Sequence, residues 1–197
     1  MSNSVDLIST QFEIDKVKSK FDTLNQEIDK QIYTSVMEER LRVNKISISK
    51  KIKEPVENAW NAFISMMLQE LQTDLTMADL KIDSYFHTKT NKQIFHIIDF
   101  EQYKKISILW FSNSQRLIRT IIFKSLQNNT VTKVRYIDLI KGKESVANYL
   151  ERKALKTYVK KQTVAFKISI LKLKLSLSNL TPRKKYLINK KIKKLTK

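Results

Sequence analysis

Residues 116–126, Arg116-Leu117-Ile118-Arg119-Thr120-Ile121-Ile122-Phe123-Lys124-Ser125-Leu126, can be read in two ways. Ile118, Ile121, Ile122 and Leu126 share one face of a helix, whereas the β-branched side chains suit a strand. How this stretch resolves decides how much of the chain is sheet. Before it, Ile94-Phe95-His96-Ile97-Ile98-Asp99-Phe100 and Ile106-Ser107-Ile108-Leu109-Trp110-Phe111 are short runs of strand character. After it, residues 131–140 read the same way, and Asn128-Asn129 supplies a turn, because Asn tolerates the left-handed region. The expectation is an α+β chain, mostly helical, with a small antiparallel sheet at about residues 85–140 and helices against one face.

Helical patterns flank this segment on both sides. In residues 5–32, Leu7, Ile14, Val17, Phe21, Leu24 and Ile28 recur at a spacing of three to four. They predict either an amphipathic helix packed on its own domain or a short coiled-coil seam that makes a homodimer. Residues 55–72 form the clearest helix, with Pro55 at its start and Val56, Trp60, Phe63, Ile64, Met67, Leu68 and Leu71 as a core stripe. Residues 143–180 read as a long helix. Its last part, residues 164–180, is apolar on two sides and also alternates as a strand would, and helix is the preferred reading. Residues 40–53 fit a strand, a helix end or a connector. The expected division is an acidic helical region at 1–82, a basic α+β region at 83–181 and a basic arm at 182–197.

A single glycine, Gly142, stands in 197 residues. Few tight turns with positive φ can be built from such a chain, which favours long helices over hairpins. The same scarcity excludes glycine-rich phosphate loops, dinucleotide fingerprints and nucleophile elbows. Cysteine is absent, so there is no disulfide framework and no thiolate zinc site. The N-terminus lacks a secretory pattern and no uncharged apolar run is long enough to span a bilayer, so a cytoplasmic protein is expected.

Charge is segregated along the chain. The net charge is +19; residues 1–101 sum to −3 and residues 102–197 to +22, with Asp138, Glu144 and Glu151 the only acids after Glu101. Such an excess calls for a polyanion, and nucleic acid is the expected partner, DNA ahead of RNA. The candidate phosphate contacts are Arg116, Arg119, Lys124, Lys133, Arg135, Lys141, Lys143, Arg152, Lys153, Lys156, Lys160 and Lys161, interleaved with apolar positions, and Arg183, Lys184 and Lys185 of the arm. Arg40, Arg42, Lys45, Lys50, Lys51 and Lys53 form a second basic patch. Lysine predominates, which favours backbone neutralisation over base readout.

Catalytic chemistry has little support. His87 and His96 are a poor metal pair, Asp99 and Glu101 are an isolated acidic couple, and no nucleophile–base pair stands out. Neither a metal nor a cofactor is expected. Binding is therefore the favoured class over enzyme. A structural RNA-binding protein, such as a ribosomal protein of an AT-rich genome, is the alternative. A basic surface for acidic lipids, through residues 164–180 and the arm, ranks third.

Three local motifs carry a resemblance. They are Tyr85-Phe86-His87-Thr88-Lys89; Leu109-Trp110-Phe111 followed by Arg116-Leu117-Ile118; and Val134-Arg135-Tyr136-Ile137 followed by Lys141-Gly142-Lys143-Glu144-Ser145-Val146 and Tyr149-Leu150. In these the stretch from residue 85 to about 161 resembles the spirochaete (Borrelia-type) plasmid replication and partition family. The family has glycines and a Lys-Pro-Ile where this chain has Ser112-Asn113-Ser114-Gln115, and residues 1–80 lie outside the resemblance. The resemblance implies DNA binding in plasmid maintenance, with a ParA-type ATPase as a partner.

Overall fold

The computed structural model describes residues 4–30, 43–71, 74–90, 92–112, 115–142, 149–177 and 180–196. The ambiguous stretch is a strand. Seven strands form one antiparallel sheet: β1 (Val5–Leu7), β2 (Val43–Ile52), β3 (Tyr85–Thr88), β4 (Ile94–Glu101), β5 (Lys105–Ser112), β6 (Gln115–Leu126) and β7 (Val131–Gly142). Their order is β1-β3-β4-β5-β6-β7-β2. Four α-helices are described: α1 (Gln11–Asp29), α2 (Val56–Glu70), α3 (Tyr149–Leu177) and α4 (Pro182–Leu195).

This corrects the expected fold. The sheet is not a small central insert in a mostly helical chain; it is the scaffold on which the helices are mounted. Strands β3 to β7 form a continuous meander, and the N-terminal region contributes a strand to each edge. β1 adds to β3, and β2 runs the length of β7 in register from Val43 opposite Lys141 to Ile52 opposite Thr132. The boundary expected at residues 82/83 therefore falls between strands of one sheet.

Scarce glycine does not prevent hairpins. The turns reach positive φ with other residues: Asp83, Lys92, Tyr103, Gln127, Asn128 and Asn129 lie between 51° and 64°. Asn and Asp bear this region well, but Lys92, Tyr103 and Gln127 do so at a cost of about 1–2 kcal/mol each. Cross-strand packing of Val, Ile and Phe over twelve-residue strands outweighs that cost.

Each face of the sheet is covered differently. The inner face carries Ile97, Ile106, Ile121, Phe123, Val134 and Tyr136, which pack with Trp60, Phe63 and Ile64 of α2 and with Phe166, Ile170 and Leu173 of α3. Trp60 meets Phe100, Tyr103 and Phe123 edge-on, with centroids 5.2–6.4 Å apart. A register shift between Ile97 and Asp99 interrupts the β4–β5 ladder, which bends the sheet toward the helices. Residues 164–177 are helical, and both apolar stripes are needed because α3 lies between the sheet, α2 and α4.

α1 covers part of the outer face. Ile8, Val17 and Phe21 pack on Tyr85 and Leu109, with Ile14, Ile94, Ile98, Phe111 and Ile118 at the margin. Of the residues proposed for a dimer seam, Val17, Phe21 and Ile28 are buried within the chain, Ile14 and Leu24 are half-buried, and Leu7 belongs to β1. The seam reading is corrected accordingly: α1 is an amphipathic helix that packs on its own sheet. Its C-terminal end is pinned by Asp29, which accepts from Arg116 Nη1 at 2.8 Å, Arg116 Nη2 at 3.0 Å and Lys141 Nζ at 2.8 Å. The Arg116 hydrogen bonds, then that of Lys141, hold the Asp29 carboxyl down at about 2. Because the folded value lies below the ordinary 3.8, this stabilisation is complete above that pH and is lost as the pH falls toward 2.

Replacing Gln127 with glycine should raise stability by about 0.5–1 kcal/mol, because the left-handed strain disappears while the exposed side chain holds no core position. Equilibrium urea unfolding checks this, and a destabilised Gln127→Gly protein would contradict the turn geometry.

Candidate functional site

The inner face of the sheet does not close completely on the helices. Between them lies a cavity of about 310 Å³, lined by Phe86, Ile97 and Ile121 of the sheet, Phe63 and Met67 of α2 and Phe166 of α3, among other apolar side chains. Its volume is at the lower end of the range for small-molecule sites, about 300–1,000 Å³. Arg119 and Gln162 bring polarity to an otherwise greasy wall, and Trp110 lies beside them.

Arg119 belongs to the inward phase of β6, between Leu117 and Ile121, and Asp138 stands opposite it on β7. The carboxylate of Asp138 is 1% exposed. It receives four bonds. Arg119 Nε donates to Oδ1 at 2.9 Å and Arg119 Nη2 to Oδ2 at 3.0 Å. The Tyr136 hydroxyl donates to Oδ2 at 2.8 Å and that of Tyr158, from α3, at 3.1 Å. Side-on pairing of this kind is the strong form of the arginine–carboxylate contact. The guanidinium also lies over the rings of Tyr136 and Trp110, at 5.0 and 5.2 Å from their centroids.

The surroundings fix the charge states. Burial works against the Arg119 cation, and the hydrogen bonds it donates to Asp138 more than restore it, so Arg119 stays protonated. Burial, reinforced by the Asp138 charge, pushes Tyr158 up to about 12. Burial likewise pushes Tyr136 well above the usual phenol range. Both tyrosines are neutral donors throughout the physiological range.

Gln162 of α3 completes the arrangement. Its Oε1 accepts from Arg119 Nη2 at 2.9 Å and stands 3.2 Å from the Tyr136 hydroxyl. The amide orientation follows from that acceptance. One donor is then left over: Gln162 Nε2 has no acceptor among the described residues, whereas Arg119 also meets the Tyr158 hydroxyl. Arg119 and Gln162 both line the cavity, and the Arg119 side chain retains 28% exposure. The ion pair is net neutral, so the chemistry it suits is an uncharged oxygen acceptor, a carbonyl, ether or hydroxyl; a ligand carboxylate would leave an uncompensated charge beside Asp138.

The residues expected to contact phosphates are scattered over the molecule. Arg119 is a correction: it faces the interior and is committed to Asp138. Arg116 and Lys141 are held by Asp29. Lys124, Lys133 and Arg135 stand on the outer face of β6 and β7, where β2 brings Lys45 and Lys51 alongside. Lys50 and Lys53 are exposed at and just beyond the β2 edge. Lys153, Lys156, Lys160 and Lys161 line the exposed side of α3, and Arg183, Lys184 and Lys185 the first turn of α4. Arg152 lies in α3. Lys143, Arg40 and Arg42 lie outside the described residues. The arm is helical, with Ile188, Ile192 and Leu195 half-buried along one side.

Of the two histidines, His96 is held by its neighbours, and His87 of β3 has a buried Nδ1 with no hydrogen-bond partner among the described residues. His96 stacks on Tyr85 with centroids 4.2 Å apart and meets Asp83 at 3.0 Å. Burial lowers its pKa, with Asp83 opposing. Among the described residues no group of three His, Cys, Asp or Glu could hold a metal ion, and no helix is long and apolar enough to cross a membrane.

No protein-family model matches the chain, and no curated protein matches its sequence. Solved structures do match its backbone. Ara h 8.0201, a Bet v 1-like allergen, superposes with a TM-score of 0.51 at 9% identity, over 68% of this chain and 99% of that one. A protein of Nitrosospira multiformis superposes with a TM-score of 0.50 at 12% identity, over 69% and 97%. CalU16 of Micromonospora echinospora gives 0.49 at 12% identity, over 78% and 87%. The first two place the chain in the helix-grip, or Bet v 1-like, fold class, in which a sheet wraps a long C-terminal helix. At these identities the likeness concerns the fold alone.

Replacing Asp138 with asparagine should cost about 3–5 kcal/mol, because it leaves the buried Arg119 cation unpaired. Arg119→Met combined with Asp138→Leu should cost less than either single change. Urea unfolding of Asp138→Asn, of the single changes Arg119→Met and Asp138→Leu, and of the double variant checks this; an additive double variant would mean that the pair is not coupled.

Proposed function

We propose that this protein binds a small, largely apolar molecule in the cavity between sheet and helices, with an uncharged oxygen directed at Gln162. The observation that carries this reading is an apolar cavity of about 310 Å³ with the side-chain amide of Gln162 on its wall, whose Nε2 has no acceptor among the described residues. Apolar walls supply affinity in proportion to the area withdrawn from water, and the amide supplies orientation.

An aromatic ketone such as acetophenone, with naphthalene as a hydrocarbon of similar size, serves as probe. Trp110 lies on the cavity wall, so its fluorescence in a Trp60→Phe background should report both. Ser169→Phe, on the same side of α3 as Gln162 and Phe166, should abolish binding of both by filling the cavity. Gln162→Leu should weaken the ketone about tenfold, the worth of one hydrogen bond, and leave the hydrocarbon unchanged. Unchanged affinity in Ser169→Phe would rule out the cavity as the binding site.

A further inference from the structure

The outer face of β6, β7 and β2 carries a basic surface that the linear sequence presents as two separate patches. On outward positions β6 has Arg116, Ile118, Thr120, Ile122 and Lys124; β7 has Lys133, Arg135, Ile137, Leu139 and Lys141; β2 has Val43, Lys45, Ser47, Ser49 and Lys51. No acid stands among them. Arg116 and Lys141 are neutralised by Asp29 from α1. Lys45, Lys51, Lys124, Lys133 and Arg135 form no ion pair among the described residues, and Arg135 Nε donates only to Ser47 Oγ, at 3.0 Å.

Three of these lysines are directly opposed. Lys133 is the register partner of Lys124 on one side and of Lys51 on the other. At a strand spacing of about 4.8 Å the row spans about 10 Å. Like charges directly across a ladder destabilise it, so the row works against the fold unless an anion lies over it. Arg135 stands about 7 Å along β7 from Lys133, and Lys45 about 20 Å along β2 from Lys51. Five cations thus run along about 20 Å of sheet.

We infer that this face binds the phosphate backbone of duplex DNA. The inference is independent of the cavity, which lies on the other side of the sheet. A duplex presents about one negative charge per 1.7 Å, enough to meet every cation of the stripe. A single strand fits less well, because it is held by stacking as much as by charge and no outward position listed above on β6, β7 or β2 is aromatic. Recognition of duplex RNA leans on 2′-hydroxyl contacts across a shallow groove, whereas lysine point charges need only the phosphates. A bilayer fits less well again. Membrane surfaces take an apolar insertion together with the charge, and none of the exposed large apolar side chains Leu7, Phe12, Ile82, Tyr186 and Leu187 belongs to these three strands.

Fluorescence anisotropy with a duplex of about 20 base pairs tests the inference. Five phosphate contacts give a slope of log affinity against log salt of about −4.5, a loss of roughly 500-fold between 50 and 200 mM salt. Lys51→Gln, Lys124→Gln and Lys133→Gln together should bring the slope to about −2 and weaken binding at 100 mM salt about a hundredfold. Lys190→Gln with Lys191→Gln on α4 should change little. Removing the opposed lysines should also raise the melting temperature at low salt, which guards against loss of binding through misfolding. The inference is overturned if the α4 variant loses binding while the triple variant keeps it. Tighter binding of duplex RNA, or binding of phosphatidylserine vesicles without DNA, would overturn it equally.

Discussion

The interior of this protein is organised by one ion pair, Arg119 with Asp138. A buried pair is expensive, since both ions leave water, and it persists only where every lone pair and proton finds a partner. Here the carboxylate collects four bonds from three residues, and the guanidinium gains two aromatic faces. The two charged residues are register partners on adjacent strands. A one-residue slip of β6 against β7 would turn one of them to the outer face and leave the other unpaired. The pair therefore selects the register of the longest ladder in the sheet. Through Tyr158 and Gln162 it also sets how α3 lies across the inner face. The cavity exists because these contacts hold α3 at that distance.

Parts of this were legible in the sequence. Residues 55–72 carry a stripe of Trp, Phe, Ile and Met that suits α2, and Asn128-Asn129 turns where expected. The two-sided apolar pattern after residue 164 correctly indicates a helix buried between partners. The extent of the sheet was not legible. β1 and β2 are separated from their partners by about 80–100 residues, and nothing local in residues 43–52 says that β2 will run along β7. Glycine scarcity points the wrong way, because Lys92, Tyr103 and Gln127, as well as Asn and Asp, take the left-handed turns.

The site left one signal that charge counting obscured. In β7, Val134, Tyr136, Asp138 and Ile140 share the inward phase, and in β6 Leu117, Arg119, Ile121 and Phe123 do. A lone acid and a lone arginine, each on the apolar phase of a strand, indicate a buried pair. Treating Arg119 as one cation in a basic half hid that pattern. The division of charge along the chain has a structural counterpart of a different kind: acidic α1 covers part of the outer face and neutralises Arg116 and Lys141 there, while the adjoining strands keep their cations. The sheet thus separates an apolar interior with a polar cluster at Arg119, Asp138 and Gln162 from an outer surface that carries cations and no acid on β6, β7 and β2.

The most direct measurement of the central claim is the side-chain Nε–H signal of Arg119 in a nitrogen-15 NMR spectrum. A buried, carboxylate-bonded guanidinium should give a sharp signal that exchanges slowly with water and disappears or shifts strongly in Asp138→Asn. If the Arg119 signal exchanges as fast as those of surface arginines such as Arg183, the buried pair and the cavity arranged around it would be contradicted.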